Sequence, residues 1–149
     1  MPKLIASLSL DLDNKWSYLK TRGDARWEAL PSYFDVVVPR ALSTFEALGV
    51  RATVFVVGLD AAQPANQSAL QSLAAAGHEI GNHSMHHEPW LHRYTPEALE
   101  ADIRQAQFYI ETAIGCRPVG FRGPGFSFSP ELLRLLARSG FRYDASTFP

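Results

Sequence analysis

Short apolar segments alternate with amphipathic ones along the 149 residues of this chain. A brief apolar segment bounded by turn-forming residues predicts a buried strand, whereas apolar residues three or four positions apart predict a helix. By these criteria the chain contains five strands, at residues 4–10, 52–57, 78–82, 119–121 and from 141 to 143. A helical segment precedes each strand after the first.

The ends of the predicted helices are marked by glycines and by two similar capping sequences. Thr95-Pro96-Glu97 and Ser129-Pro130-Glu131 each place a hydroxyl, a proline and an acid in the order that opens a helix. The four helices begin near Pro39, at residue 64, and after Thr95 and Ser129, and they stop at Gly49, Gly77, Gly115 and Gly140. A polar loop containing Trp16, Tyr18 and Trp27 is expected before the first helix.

Strands separated by helices predict right-handed crossovers and therefore a parallel α/β sheet. Ligand sites in such sheets lie at the carboxyl ends of the strands, on a barrel's top face or in the crevice of an open sheet. The polar candidates follow the predicted strands in order: Asp11 and Asp13, His83 and His87, Arg122, and Asp144. We therefore expect these side chains to converge at one edge of the sheet.

The composition fits a single globular domain over residues 1–149, with 46% hydrophobic and 19% charged residues. A formal net charge of −1 argues against a nucleic-acid partner, because that binding depends on cationic side chains. The single cysteine excludes an internal disulfide. The first residues lack a signal-peptide pattern, and no apolar segment is long enough to span a bilayer, so we expect a cytoplasmic protein. The sequence leaves the oligomeric state open.

All five histidines fall within fifteen residues, from His78 to His92. His83 and His87 stand four positions apart, so a helical turn would place both imidazoles on one side, ready to bind one metal ion. Imidazole suits zinc and its late-transition neighbours, and a carboxylate from another loop would complete the set. The alternative is a polar loop that is merely rich in histidine. We interpret His86 and His92 as loop or packing residues and His78 as structural.

Asp11 and Asp13 stand two positions apart at the end of the first predicted strand. In an extended strand both carboxylates would share one face and compete for one small volume. Beside a divalent cation, one acid can remain ionised as a ligand while the other accepts a proton from water. The alternative is a solvated turn with two acids.

Arg122 lies in the sequence Phe-Arg-Gly-Pro-Gly, which predicts a stiff turn after the fourth strand. A guanidinium at this position could orient a buried carboxylate, and a surface arginine is the alternative. Asp144 lies in Asp-Ala-Ser-Thr, a sequence that is equally consistent with an ordinary turn and with a functional role.

In this order the motifs resemble those of the NodB-type polysaccharide deacetylases, carbohydrate esterase family four. Residues 9–13, Ser-Leu-Asp-Leu-Asp, resemble the first motif of that family. Residues 77–87, Gly-His-Glu-Ile-Gly-Asn-His-Ser-Met-His-His, match its second motif closely. Residues 121–125 resemble the third motif and residues 143–147 the fourth, so the resemblance covers nearly the whole chain.

The resemblance implies a fold, a metal and a reaction. The fold would be a distorted (β/α) barrel of about seven units. The metal would be divalent, zinc in preference to cobalt or another late transition metal, and held by Asp13, His83 and His87. The reaction would be hydrolysis of the N-acetyl group of a sugar or polysaccharide, a cell-surface glycan or its precursor, by metal-activated water.

The resemblance also implies roles for three further residues. Asp11 would be the general base, Arg122 would orient Asp11, and Asp144 would tune an acid elsewhere. Leu12 separates two aspartates that are adjacent in the commoner family motif. That departure leaves open which aspartate is the base and which is the metal ligand.

Five predicted strands are fewer than the roughly seven that the family implies. The chain also stops before the family's fifth motif, which supplies a histidine general acid. We therefore expect a deacetylase domain that is truncated at its C-terminal end, binds metal and turns over slowly. Two other functions stay open: hydrolysis of a non-sugar amide such as a cyclic ureide or imide, and a non-catalytic metal- or carbohydrate-binding module.

Overall fold

The computed structural model describes residues 6–147, in which five strands form one parallel sheet. The strands are β1 (Ser9–Leu12), β2 (Thr53–Val56), β3 (Glu79–Asn82), β4 (Gly120–Phe121) and β5 (Tyr143–Asp144). Each strand pairs with the next one along the chain. This consecutive order, in a described sheet that does not close, confirms an incomplete (β/α) barrel. A doubly wound sheet would instead show a reversal of strand order.

The described residues form six α-helices and four short 3₁₀ turns. The helices are α1 (Lys15–Thr21), α2 (Phe34–Leu48), α3 (Gly58–Ala61), α4 (Gln67–Ala75), α5 (Pro96–Ile114) and α6 (Pro130–Arg138). The 3₁₀ turns are Ala25–Ala29, Pro64–Asn66, Leu91–Arg93 and Pro124–Phe126. The hydroxyls of Thr95 and Ser129 each accept a hydrogen bond from a backbone N–H three residues further on, which confirms both predicted helix starts. None of the described helices combines the length and apolarity needed to cross a membrane.

Two predicted boundaries near the N-terminus are wrong. β1 begins at Ser9 rather than at residue 4, and residues 4 and 5 lie outside the described part of the chain. α2 begins at Phe34, five residues before Pro39. Phe34 and Val38 lie one helical turn apart and are both buried, so the apolar face of α2 extends upstream of the proline.

The segment between β1 and α2 is largely helical rather than the polar loop that we expected. It contains α1 and the 3₁₀ turn Ala25–Ala29. Trp16, in the first turn of α1, is buried, and the hydroxyl of Ser17 donates to the carbonyl oxygen of Asn14 at 2.8 Å. This folded segment follows the carboxyl end of β1 and forms part of the site described below.

Two clusters of buried apolar side chains attach the helices to the sheet. The larger comprises Leu12, Phe34, Val38, Val54, Val56, Ala61, Leu70, Leu73, Ile80, Ile110 and Ala113. The smaller comprises Leu91, Leu99, Ile103, Phe121, Leu132, Leu135, Leu136 and Phe141. Each buried Leu, Ile, Val or Phe contributes about 1.5–3 kcal/mol. Because α5 contributes Ile103 to one cluster and Ile110 to the other, it ties the two halves of the sheet together.

Candidate metal centre and active site

Three metal-ligating side chains meet at the carboxyl ends of β1 and β3. Asp13 directly follows β1, His83 directly follows β3, and His87 lies four residues further on. One ligand atom from each of the three lies within 4.8 Å of the others. Oδ1 of Asp13 is 3.6 Å from Nε2 of His83, and Oδ2 of Asp13 is 3.3 Å from Nε2 of His87. The structure therefore brings together the three residues that the sequence proposed as metal ligands.

The surroundings of His83 hold its ring in a neutral, oriented state. Nδ1 of His83 lies 2.6 Å from the carbonyl oxygen of Arg122. A carbonyl oxygen only accepts, so Nδ1 carries a proton, and in the neutral ring Nε2 then keeps its lone pair on the side of Asp13. Burial lowers the pKa of His83, although the negative charge of Asp13 raises it in part. Neutral imidazole with its second nitrogen anchored in this way is the form that binds metals.

The carboxylate of Asp13 is ionised and incompletely bonded. Burial alone would raise the pKa of Asp13, but the adjacent His87 and His83 rings lower it below its usual range. Oδ1 of Asp13 and Nδ1 of His87 are buried without a hydrogen-bond partner among the described residues. An unpaired buried acceptor costs about 1–3 kcal/mol, and a bound cation would remove that cost for the carboxylate. Two imidazoles and one carboxylate fit a divalent late transition metal.

The segment from His83 to His87 does not form the expected helical turn. Ser84 and His87 have φ angles of 64° and 54°, in the left-handed region that non-glycine residues seldom adopt. Oδ1 of Asn82 accepts a hydrogen bond from the Ser84 N–H at 2.8 Å. The Ser84 hydroxyl oxygen in turn accepts one from the His87 N–H at 3.1 Å. Side-chain hydrogen bonds, rather than a helix, therefore bring the two imidazoles together.

Arg122 holds Asp11 in a fixed orientation. Nη1 of Arg122 donates to Oδ1 of Asp11 at 2.7 Å, and Nη2 donates to the Ser9 hydroxyl at 2.7 Å. Nε of Arg122 donates to the carbonyl oxygen of Ala145 at 3.1 Å, and the guanidinium lies 4.3 Å from the centre of the Phe55 ring. These contacts fix the guanidinium plane. Oδ2 of Asp11 makes no hydrogen bond with any described residue.

Asp11 and Asp13 have separate partners, although the sequence predicted that they would compete for one volume. Asp11 pairs with Arg122, whereas Asp13 faces the two histidines. This division matches the assignment of Asp13 as ligand and Asp11 as base, which stays a prediction.

Asp144 is not joined to the metal residues by any hydrogen bond or ion pair between described residues. Oδ1 of Asp144 accepts a hydrogen bond from the Ser146 hydroxyl at 2.6 Å. The Ser146 oxygen accepts one from the Gly123 N–H at 2.7 Å. Asp144 thus stabilises the turn that follows Arg122, and its predicted effect on a distant acid stays a prediction.

The other three histidines contact protein groups outside the metal set. The pairs are Nδ1 of His78 with the Ala52 N–H at 3.1 Å, Nδ1 of His86 with Oδ2 of Asp102 at 2.8 Å, and Nδ1 of His92 with the Ser127 hydroxyl at 3.0 Å. These contacts agree with the interpretation of the three as structural or loop residues.

Two tyrosines also contact Asp13. The sequence placed Tyr18 on a loop that flanks the site, whereas it gave no indication of Tyr33. The Tyr18 hydroxyl donates to Oδ2 of Asp13 at 3.1 Å, and the Tyr33 hydroxyl donates to the Asp13 carbonyl oxygen. Burial and the negative charge of Asp13 raise the pKa of Tyr18 to about 12, so this hydroxyl remains a donor at neutral pH.

Asp60 is a buried acid at the same end of the sheet that sequence reasoning also missed. It lies in α3, shortly after β2, and is 2% exposed. Oδ1 of Asp60 accepts hydrogen bonds from Nδ2 of Asn14 at 2.7 Å and from Nε1 of Trp16 at 2.8 Å. Burial raises the pKa of Asp60 to about 6. Asp60 follows the second strand, so the pattern of polar residues after the strands is the signal in the sequence that points to it.

The sequence of this chain is similar to those of known proteins. A family profile described as polysaccharide deacetylase matches residues 27–143. A peptidoglycan deacetylase of Helicobacter pylori is 29% identical over 112 residues, which are 75% of this chain and 37% of that protein.

Solved structures show the same fold. One from Mycobacterium smegmatis, which carries a polysaccharide deacetylase description, has a TM-score of 0.80 and 29% identity, and the match covers 93% of this chain and 49% of that one. A family 4 acetyl xylan esterase from Clostridium thermocellum, solved with a cobalt ion, has a TM-score of 0.67 and 25% identity, over 87% of this chain and 53% of that one. The chain thus spans between 37% and 53% of the length of these relatives.

Proposed function

The chain belongs to the polysaccharide deacetylase family, and from this membership we propose that it hydrolyses the N-acetyl group of a sugar with the help of a divalent metal. The observation that carries the proposal is the meeting of Asp13, His83 and His87 within 4.8 Å. The name of the Helicobacter relative supports an N-acetylated cell-wall glycan, or its precursor, as the substrate class.

The protein's own residues would hold and orient the metal. When bound, a divalent metal would provide a nucleophile at neutral pH and polarise the acetamide carbonyl. Asp13, His83 and His87 would be its ligands. The bond from Nδ1 of His83 to the Arg122 carbonyl would keep Nε2 of that ring directed at the metal.

Asp11 is the candidate general base. Arg122 occupies its Oδ1, so Oδ2 of Asp11 is available to accept the proton that the attacking water gives up. A positioned base of this kind typically contributes about 10²–10⁴-fold to the rate. We assign none of the described residues to protonation of the leaving amine, and we therefore expect slow turnover.

Zinc is the metal that we propose. Two imidazoles and one carboxylate that leave positions open for water and substrate are typical of catalytic zinc sites. The cobalt ion in the Clostridium thermocellum relative supports a late transition metal, and cobalt should substitute for zinc.

The test is acetate release from N-acetylglucosamine oligosaccharides and from peptidoglycan fragments by the zinc-loaded chain. We expect slow release that EDTA abolishes. Asp11→Asn should lower the rate by about 10²-fold or more and leave the zinc content unchanged, because Asp11 is outside the metal set. Asp35→Asn is the matched control, since Asp35 is an exposed aspartate on α2.

Three results would contradict the proposal in different ways. Equal acetate release with and without EDTA would remove the metal from the mechanism. A wild-type rate in Asp11→Asn would remove Asp11 as the base. Hydrolysis of cyclic ureides or imides without any acetate release from sugars would replace the substrate class.

A further inference from the structure

The loop from His83 to His87, called the ligand loop below, carries two of the three candidate metal ligands and is bound by a buried acid on another element. Asp102 lies in α5 and is 4% exposed. Oδ1 of Asp102 accepts a hydrogen bond from the Met85 N–H at 2.8 Å. Oδ2 of Asp102 lies 2.8 Å from Nδ1 of His86. One carboxyl group thus contacts two consecutive residues of the ligand loop, and the mechanism proposed above does not use it.

The backbone of the ligand loop adopts a conformation that its sequence does not favour. Ser84 and His87 both have φ angles in the left-handed region, which is unfavourable for residues with a side chain. Such residues persist in this region only where the surrounding contacts hold them there. The two residues that Asp102 contacts, Met85 and His86, lie between them in the chain. Asp102 therefore binds the loop at the point where an external constraint is needed.

The backbone at the start of α3 holds the opposite side of the ligand loop. The Gly58 N–H donates to the carbonyl oxygen of Ser84 at 2.8 Å, and the Leu59 N–H donates to that of Met85 at 3.1 Å. The Met85 side chain is buried, and a Cβ added at Gly58 would lie 2.5 Å from its Sδ. No described residue other than Asp102 accepts a hydrogen bond from the Met85 N–H. Met85 is therefore fixed by α3 through its carbonyl group and by α5 through its N–H.

We propose that Asp102 is a positioning residue that arranges the ligand loop for metal binding before the metal arrives. Asp102 lies outside the metal set, so its effect passes through the loop. It holds Met85 and His86 against α5, and the rings of His83 and His87 then both face the third ligand. Without this carboxyl group the loop relaxes, and metal binding has to restore its order at a cost in affinity. The inference rests on the metal site of the proposed function and does not depend on the substrate.

The test compares the zinc affinity of two Asp102 variants with that of the wild type, by competition with a fluorescent chelator. Asp102→Leu keeps the branched shape of the side chain but removes both acceptors, so we expect zinc binding about 10–100-fold weaker. Asp102→Asn keeps an oxygen for the Met85 N–H, and its amide can donate to Nδ1 of His86 in the other neutral tautomer. This conservative variant should therefore stay within about 3-fold of the wild-type affinity.

Gln107→Leu is the matched control, because Gln107 is also a buried polar residue of α5. Its Oε1 accepts a hydrogen bond from Arg117 rather than from the ligand loop. The control should therefore lose stability in urea but keep its zinc affinity. Visible absorption of the cobalt-loaded chain gives a second readout, because it reports the geometry of the ligands. The spectrum should change in Asp102→Leu and not in Gln107→Leu.

Asp102→Ala removes the same acceptors without adding apolar bulk and replaces Asp102→Leu if the latter does not fold. Wild-type zinc affinity in either folded variant would overturn the positioning role. Equal losses of affinity in Asp102→Leu and Gln107→Leu would also overturn it, because they would reflect general destabilisation. Failure of both Asp102 variants to fold would overturn it as well, since the carboxyl group would then serve the fold as a whole.

The outcomes also separate this inference from the proposed function. Zinc binding that depends on Asp102, without acetate release by the zinc-loaded wild type, would support the positioning role and contradict the deacetylase. Acetate release that EDTA abolishes, with wild-type zinc affinity in a folded Asp102→Leu variant, would overturn the positioning role and leave the deacetylase standing.

Discussion

Two buried histidines at opposite ends of one strand have different surroundings. His78 directly precedes β3 and His83 directly follows it, and they are 8% and 2% exposed. At the amino end, Nδ1 of His78 accepts the Ala52 N–H, and its ring lies 4.9 Å from the ring of Phe45. The contacts of His78 are those of a packed structural residue.

At the carboxyl end, Nδ1 of His83 makes a hydrogen bond, whereas Nε2 is directed at Asp13, another candidate metal ligand. Nδ1 donates to the Arg122 carbonyl, whereas Nε2 lies 3.6 Å from Oδ1 of Asp13, too far for a hydrogen bond. Burial therefore does not distinguish the structural histidine from the candidate metal ligand. The two differ in the group that the second ring nitrogen faces.

The same contrast extends beyond β3. Five buried side-chain polar atoms lack a hydrogen-bond partner among the described residues. Three of them, on Asp13, His87 and Asp60, belong to segments at the carboxyl end of the sheet. The carboxyl end of the sheet thus contains buried polar atoms without hydrogen-bond partners, and a bound ligand could supply those partners. Variants at each end of the sheet should therefore differ in their effects on zinc binding and on stability.

The largest effect is expected for His83→Ala, measured as zinc content after dialysis and as affinity in competition with a fluorescent chelator. Loss of a direct ligand should weaken zinc binding by more than about 100-fold, since even residues that only support a ligand contribute about 10–100-fold. His78→Asn is the matched histidine control and should keep its zinc. Equal zinc affinity in His83→Ala and the wild type would refute the assignment of His83.

At the amino end, His78→Leu should destabilise the protein and leave zinc binding intact. Leucine leaves the buried Ala52 N–H without its acceptor, which costs about 1–3 kcal/mol of unfolding free energy in urea. His78→Asn should recover part of this loss, because its side-chain oxygen can accept the same bond. Loss of zinc from folded His78→Leu would show that the two ends of β3 are coupled.

Asp60 should make stability depend on pH at the carboxyl end. Burial raises the pKa of Asp60 to about 6 in the folded chain, against about 3.9 when unfolded. The folded state therefore holds this proton more tightly. The stability that Asp60 contributes in acid is lost as the pH rises through 6, by about 2 kcal/mol between about pH 4.5 and pH 8.

The measurement for Asp60 is a difference between two proteins. The wild type and Asp60→Asn are unfolded in urea, in EDTA, at both pH values. Subtracting their unfolding free energies at each pH cancels the contribution of the other titrating groups. The wild type should lose about 2 kcal/mol more than the variant as the pH rises. Parallel pH profiles would show that Asp60 is ionised normally.

Much of the fold could be predicted because its signals are local. Thr95 and Ser129 cap their helices through hydrogen bonds from residues only three positions away, so the local sequence alone predicts both helix starts. The strand-end rule named Asp13, His83 and His87 because parallel strands bring their carboxyl ends to one edge.

Other features depend on contacts between distant residues. The buried position of Trp16 reflects its bond to Asp60, 44 residues away, so the segment after β1 did not look structured in the sequence. The four-residue spacing of His83 and His87 suggested a helix, but the left-handed Ser84 is held by Asn82 instead. Neither the spacing nor the local propensity indicates such bonds.

The smallest expected effect concerns the packing around His78. Phe45→Leu removes the aromatic contact at 4.9 Å and should lower the unfolding free energy by about 0.5–1.5 kcal/mol, measured by urea unfolding. Phe108→Leu, at a position 62% exposed on α5, should change it by less than about 0.5 kcal/mol. Zinc content should stay at the wild-type value in both variants, because His78, the histidine that Phe45 packs against, lies at the amino end of β3. A change in zinc content in Phe45→Leu alone would mean that packing at the amino end reaches the metal ligands, and the contrast between the two ends would fail.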